Sequence, residues 1–207
     1  MKIVLISDTH NQHEKIILPK GDMIIHAGDI SELGTFTEVL NFIQWFSKLP
    51  FKYKIFIAGN HDFLFERQKL VGTAMLLEGV TYLENSEVTI DGLRIYGSPY
   101  TLKFYDWAFM KSSGKEIAET WNLIPENVDI LITHSPPFGV LDKNELGTHC
   151  GCKDLLARVY AAKPCIHVFG HIHEGYGTHE INGTRFYNAS ILNENYHVSN
   201  RPILIDL

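Results

Sequence analysis

Histidine, aspartate and asparagine gather in five short patches of this chain: Asp8-Thr9-His10, Gly28-Asp29, Gly59-Asn60-His61-Asp62, Thr133-His134 and Gly170-His171-Ile172-His173. Their side chains offer oxygen and imidazole nitrogen donors, the ligand types of first-row divalent metals. One patch alone is weak evidence, because Asp-x-His and Gly-His-x-His arise by chance. All five, however, follow a run of buried-strand character. That shared context points to a metal site assembled from loops.

Asp8 and His10 are one residue apart, so an extended segment would point both the same way and let them grip one ion. Gly28 would let the backbone turn tightly before Asp29. The Asp29 carboxylate could then bridge two cations about 3.5–4 Å apart, the separation that two-metal hydrolysis uses. Asn60 offers an amide oxygen, and His134, His171 and His173 add imidazoles. A set without thiolate implies two divalent ions, with Mn²⁺ expected first and Fe or Zn²⁺ as alternatives; so many imidazoles argue against a pure Mg²⁺ site. His61 follows Asn60 and precedes Asp62, which could hold its ring protonated, making His61 the candidate general acid for a departing alkoxide. The nucleophile would be a water or hydroxide held between the metals, with no Ser or Cys needed.

For these patches to meet, the apolar runs before them must be neighbouring strands. Residues 3–6, 23–26, 54–57, 130–133 and 166–169 are continuous β-branched runs of the kind covered on both faces. Between them lie stretches of helical period. In 36–49, Phe36, Val39, Leu40, Ile43 and Phe46 fall on one stripe and Pro50 follows; 63–77 and 154–162 also read as helices. Residues 80–83, 87–90 and 93–96 are short strands, the last two joined at Asp91-Gly92. A second hairpin at Asn182-Gly183 joins 176–181 to 185–188, and 202–206 reads as a closing strand. Two βαβ-like halves with antiparallel additions predict an α/β fold, a four-layer α/β/β/α sandwich of two mixed sheets with helices outside. Loops at the carboxyl ends of such strands are where α/β sheets bind ligands.

The 207 residues suit one domain, expected to span 1–207. With 45% hydrophobic and 20% charged residues the composition is globular, and the net charge of −6 gives no cationic field for long nucleic acid. A small phosphoester is the expected partner, since bound cations would make the pocket locally positive. The three cysteines, Cys150, Cys152 and Cys165, fit neither a disulfide framework nor a zinc-finger spacing and read as buried or partly buried thiols. No run reaches membrane-span length and none has a signal-peptide pattern, so no membrane association and a cytoplasmic location are expected.

The five motifs together resemble the signature of the calcineurin-like metallophosphoesterase superfamily. Gly97-Ser98-Pro99, Phe104 to Phe109, Thr133 to Pro137, His167 to Gly177 and Asn188-Ala189-Ser190 are similar to its branch of metallophosphoesterase-domain-containing proteins, which includes phosphodiesterases, some active on cyclic nucleotides. The resemblance implies one metal on Asp8, His10, Asp29 and His173, and a second on Asp29, Asn60, His134 and His171. Some animal members carry Gly at the His171 position; here the implied ligand set is complete.

Other residues keep two readings. His26 and His167 sit in strand runs and read as core or ligand-supporting histidines, while His13, His179 and His197 read as surface residues. His149, just ahead of a helix, and Asn11 could contact a substrate phosphate or serve only local structure. Phe104 and Trp107 could stack on a base or plug a loop, whereas Tyr105 and Phe109 read as plugs. The leading function is a metal-dependent phosphodiesterase for small diesters, cyclic nucleotides among them. A phosphomonoesterase, a nuclease or a non-enzymatic scaffold on the same fold are the alternatives.

Overall fold

A computed structural model describes all 207 residues. Along the chain run β1 (Lys2–Ile6), β2 (Met23–Ala27), α1 (Phe36–Lys48), β3 (Tyr53–Ile57), α2 (Phe63–Arg67), α3 (Lys69–Ala74) and β4 (Val80–Tyr82). There follow β5 (Ser86–Ile90), β6 (Leu93–Ser98), β7 (Thr101–Leu102), β8 (Met110–Lys111), α4 (Lys115–Trp121), β9 (Ile130–Thr133) and α5 (Lys153–Ala162). The chain ends with β10 (Ile166–Phe169), β11 (Gly177–Ile181), β12 (Thr184–Asn188) and β13 (Ile203–Asp206).

Two mixed sheets result, one ordered β13-β1-β2-β3-β4 and the other β11-β12-β10-β9-β6-β5. In the first, β1 to β4 are parallel and β13 is antiparallel to β1; in the second, β6, β9, β10 and β12 are parallel with antiparallel β5 and β11 at the edges. Alternation along each strand sends one set of side chains inward and the next outward. Thus Leu5, Ile25 and Ile55 meet Ile95, Ile132 and Val168 between the sheets. Val4, Ile24 and Phe56 face Phe42, Phe46 and Phe65 of α1 and α2, and Leu131, Phe169 and Phe186 face Trp121, Leu155 and Val159 of α4 and α5. The four layers are therefore helix, sheet, sheet, helix. No helix is long and apolar enough to cross a membrane.

Local sequence explains much of this. Thr35 and Glu38 form a reciprocal capping box that starts α1. The turn residues Asp91 and Asn182 take φ of 48° and 53° before glycines, as tight hairpins require. Three expectations need correction. The stripe of α1 buries Phe42 in place of Phe36, which is half exposed. Residues 63–77 are two short helices, because the chain bends at Gln68 so that Gly72 packs on the Phe65 ring. Cys165 is exposed, whereas Cys152 is buried under Trp121.

Candidate metal centre

Because the strands before all five motifs are parallel within each sheet, their carboxyl ends open on one edge, and the motif loops converge there. The first loop is not extended as expected. Asp8, His10 and Asn11 have φ of 53°, 39° and 59°, so the side chains of Asp8 and His10 converge by a left-handed turn. That turn is fastened to the next motif by Thr9 N and His10 N, which both donate to Asp29 O at 3.0 and 3.1 Å. Glycine is forced at Gly59 and Gly170 by close approach. A Cβ there would lie 2.3 Å from Asp29 Oδ1 and 1.9 Å from Asp8 Oδ2 respectively.

The seven predicted ligands come together. Asp29 Oδ2 lies 3.3 Å from His134 Nε2 and 3.7 Å from His10 Nε2, placing one carboxylate between two imidazoles. Asn60 Oδ1 is 2.9 Å from His134 Nε2. His173 Nε2 is 3.7 Å from Asp8 Oδ1, and the His171 ring centre is 5.0 Å from that of His134. Backbone carbonyls fix the rings: His134 Nδ1 donates to Ala27 O at 3.0 Å and His173 Nδ1 to Asn193 O at 2.9 Å. A carbonyl only accepts, so each ring presents Nε2 to the centre. Ser190 Oγ, 2.8 Å from both Asp8 Oδ2 and Asn188 Oδ1, supports the first carboxylate from just beyond the end of β12.

Donor chemistry fits cations. Asp8 and Asp29 are buried carboxylates, and burial alone would raise their pKa values. His173 and His134 beside Asp8, and His134, His61 and His10 beside Asp29, instead hold both well below the carboxylate range. Burial likewise opposes charge on His134 and His173, yet Asp29 and Asp8 lift them to about 9. His10 goes the other way, pushed down to about 4 by burial, and both its buried ring nitrogens lack hydrogen-bond partners. Two buried anions and an imidazole with unpartnered nitrogens are what divalent cations would satisfy. Asp8, His10 and His173 form one compact donor group, and Asp8, Asp29 and His134 another.

His61 sits at the rim of this set, its backbone N–H donating to Asp29 Oδ1 at 2.8 Å. Asp62 does not hold its ring. The peptide turn sends that carboxylate inward, where it accepts from Gly59 N, Ile30 N, Ser31 N and Ser31 Oγ at 2.7, 3.2, 3.0 and 2.5 Å. The His61 ring is held instead by Glu32 O at 2.7 Å from Nδ1. Glu32 itself escaped the sequence reading, although its place three residues after Asp29 is a usable signal.

A cavity of about 530 Å³ opens over the centre, lined among others by His10, Asp29, Asn60, His61, His171 and His173. Phe104 and Trp107 line it too, the former 5.6 Å from the His171 ring and the latter 4.1 Å from that of His61. Phe109 is a buried plug, but Tyr105 is exposed at the loop tip. Asn11 and His149 are not brought to this cavity. Asn11 borders a separate groove along α1, because the left-handed turn rotates it away, and His149 Nδ1 is tied to Asp142 Oδ1 at 2.6 Å. His26 and His167 are buried against Thr9 and Thr133 at 2.9 and 2.8 Å. His13 is buried rather than exposed, packed on Phe42 and Trp45.

The family model for calcineurin-like phosphoesterases matches residues 1–175. This chain belongs to that family. It is 44% identical over a 230-residue alignment to "Metallophosphoesterase domain-containing protein 1" of Homo sapiens, covering 100% of this chain and 71% of that protein. To "UPF0046 protein K07C11.7" of Caenorhabditis elegans it is 38% identical, covering 99% and 74%. The solved structure of "Phosphopantetheinyl Hydrolase (PptH) from Mycobacterium tuberculosis" superposes with a TM-score of 0.66 at 14% identity, covering 99% of this chain and 96% of that one; it shares the fold. Family membership makes the chain a metal-dependent phosphoesterase, with candidate metal-binding residues gathered at one edge of the sheets.

Proposed function

We propose that this protein is a phosphodiesterase for small diesters, using two divalent cations, Mn²⁺ first among them. The observation that carries the reading is Asp29 between His10 and His134, with His61 beside it at the cavity edge. Asp8, His10, Asp29 and His173 would hold one ion, and Asp29, Asn60, His134 and His171 the other. When bound, such ions supply Lewis acidity that activates a water and offsets phosphoryl charge.

The chain's own residues do the rest. Carbonyl oxygens of Ala27, Asn193 and Glu32 fix the orientation of three imidazoles before substrate arrives, which favours catalysis by positioning. With Nδ1–H donated to Glu32 O, His61 in its imidazolium form would carry a second proton on Nε2 to give to the departing alkoxide oxygen. Apart from the bound ions and the imidazoles, Lys103 is the one cationic side chain lining the cavity, against Asp29 and Glu174, so the protein itself adds little positive charge for the second negative charge of a monoester. A diester carries one negative charge where a monoester carries two near neutral pH. Phe104 and Trp107 offer ring faces to an aromatic substituent, which suits a nucleotide and so includes cyclic nucleotides. The net charge of −6 disfavours long nucleic acid.

The test is hydrolysis of bis(4-nitrophenyl) phosphate and 4-nitrophenyl phosphate by Mn²⁺-loaded protein. Faster turnover of the diester supports the proposal, and preference for the monoester would move the assignment to phosphomonoesterase.

A further inference from the structure

Beyond the last motif, the chain after β12 returns to the metal centre and delivers a residue that no pattern announces. Asn193 to Tyr196 make a tight turn in which Tyr196 N donates to Asn193 O at 2.9 Å, and Asn193 Oδ1 accepts from Asn195 N and His197 N at 3.0 Å each. Two more bonds fasten this turn to the site. Asn193 O accepts from His173 Nδ1 at 2.9 Å, and Tyr196 O accepts from Gln12 Nε2 at 3.0 Å.

Held this way, Tyr196 has a φ of 58°, a left-handed conformation that bulky residues seldom adopt and that persists where surrounding structure over-determines it. Its ring meets those of His10 and His173 edge-on at 5.0 and 5.1 Å, while the residue stays 42% exposed and lines the cavity. A ring serving only to seal two imidazoles would gain by full burial. The hydrogen bonds of Tyr196 run through its backbone, so the phenol O–H of this cavity-lining residue has no protein partner.

We propose that Tyr196 is a substrate-binding residue whose phenol donates a hydrogen bond to a non-bridging oxygen of the phosphoryl group. This rests on the phosphoesterase reading above and adds a contact on the side of His10 and His173, whereas Phe104 and Trp107 pack on the rings of His171 and His61. A neutral O–H donor suits the place, since it binds an anionic oxygen without adding a charge beside the imidazoles.

Y196F removes the hydroxyl and keeps the ring. Inorganic phosphate titrated calorimetrically into Mn²⁺-loaded protein should bind about 10-fold more weakly to Y196F than to wild type, with equal metal content. Equal phosphate affinity in the two proteins overturns the proposal, as does wild-type protein that binds no phosphate. Loss of metal in Y196F also overturns it, assigning Tyr196 to support of the imidazoles. Because the titration needs no turnover, weaker phosphate binding in Y196F alongside a wild type that hydrolyses no ester would uphold the contact and remove the phosphodiesterase reading.

Discussion

His61 Nδ1 lies 2.7 Å from the backbone carbonyl oxygen of Glu32, so the ring is oriented by main chain rather than by a carboxylate. The Glu32 carboxylate also approaches His10 Nδ1 to 3.4 Å without a hydrogen bond, so one residue borders both the candidate acid and a candidate ligand.

From that arrangement, H61A should retain metal yet slow turnover of esters with poor leaving groups by about 10²-fold or more. Esters with good leaving groups, which need little protonation, should lose much less. Comparing an alkyl with a nitrophenyl diester checks this; an unchanged rate on the alkyl ester would remove His61 from the acid role.

Gly170 is a second point of pressure. An added Cβ would sit 1.9 Å from Asp8 Oδ2 and 2.2 Å from Ser7 Oγ. G170A should therefore displace the Asp8 carboxylate and reduce bound metal, as read by elemental analysis after gel filtration. Full metal content and wild-type activity in G170A would show that the Asp8 loop relaxes freely.

Buried histidines predict acid sensitivity of the metal-free protein. Burial pushes His13 down to about 4 and His26 and His167 to about 3, so the fold keeps them neutral. The unfolded chain takes up these protons below its ordinary value of about 6.5. The contribution of these three histidines to stability is thus fully present above about pH 6.5 and falls as pH drops toward 4 and below. Replacing His13 by Phe, which keeps a ring against Phe42 and Trp45, should flatten that fall by up to about 1.4 kcal/mol per pH unit in urea unfolding. An unaltered slope would mean that His13 is already neutral in the unfolded chain or protonated in the fold.

Sequence alone carried the parallel strands and the ligand loops, because continuous β-branched runs and the Asp, Asn and His that follow them are local signals. Conformation inside those loops was not legible. Asp8 and His10 share a face through left-handed backbone, and Asp62 turns toward amide groups of Gly59, Ile30 and Ser31 that are contiguous only in the fold. His13, flanked by Gln12 and Glu14, reads as surface until α1 packs on it. The strands β7 and β8 are two residues each and α4 has no side-chain cap, so neither propensity nor capping announces them. Tyr196 reaches the centre through a turn some twenty residues past the last motif, which no periodicity encodes.

The most direct test of the account is metal content and bis(4-nitrophenyl) phosphate turnover measured together in wild type and D29N. One carboxylate serving two ions predicts that D29N loses both metals and all measurable activity while keeping its fold by circular dichroism. Loss of a single ion, or full activity in D29N, would contradict Asp29 as the shared ligand.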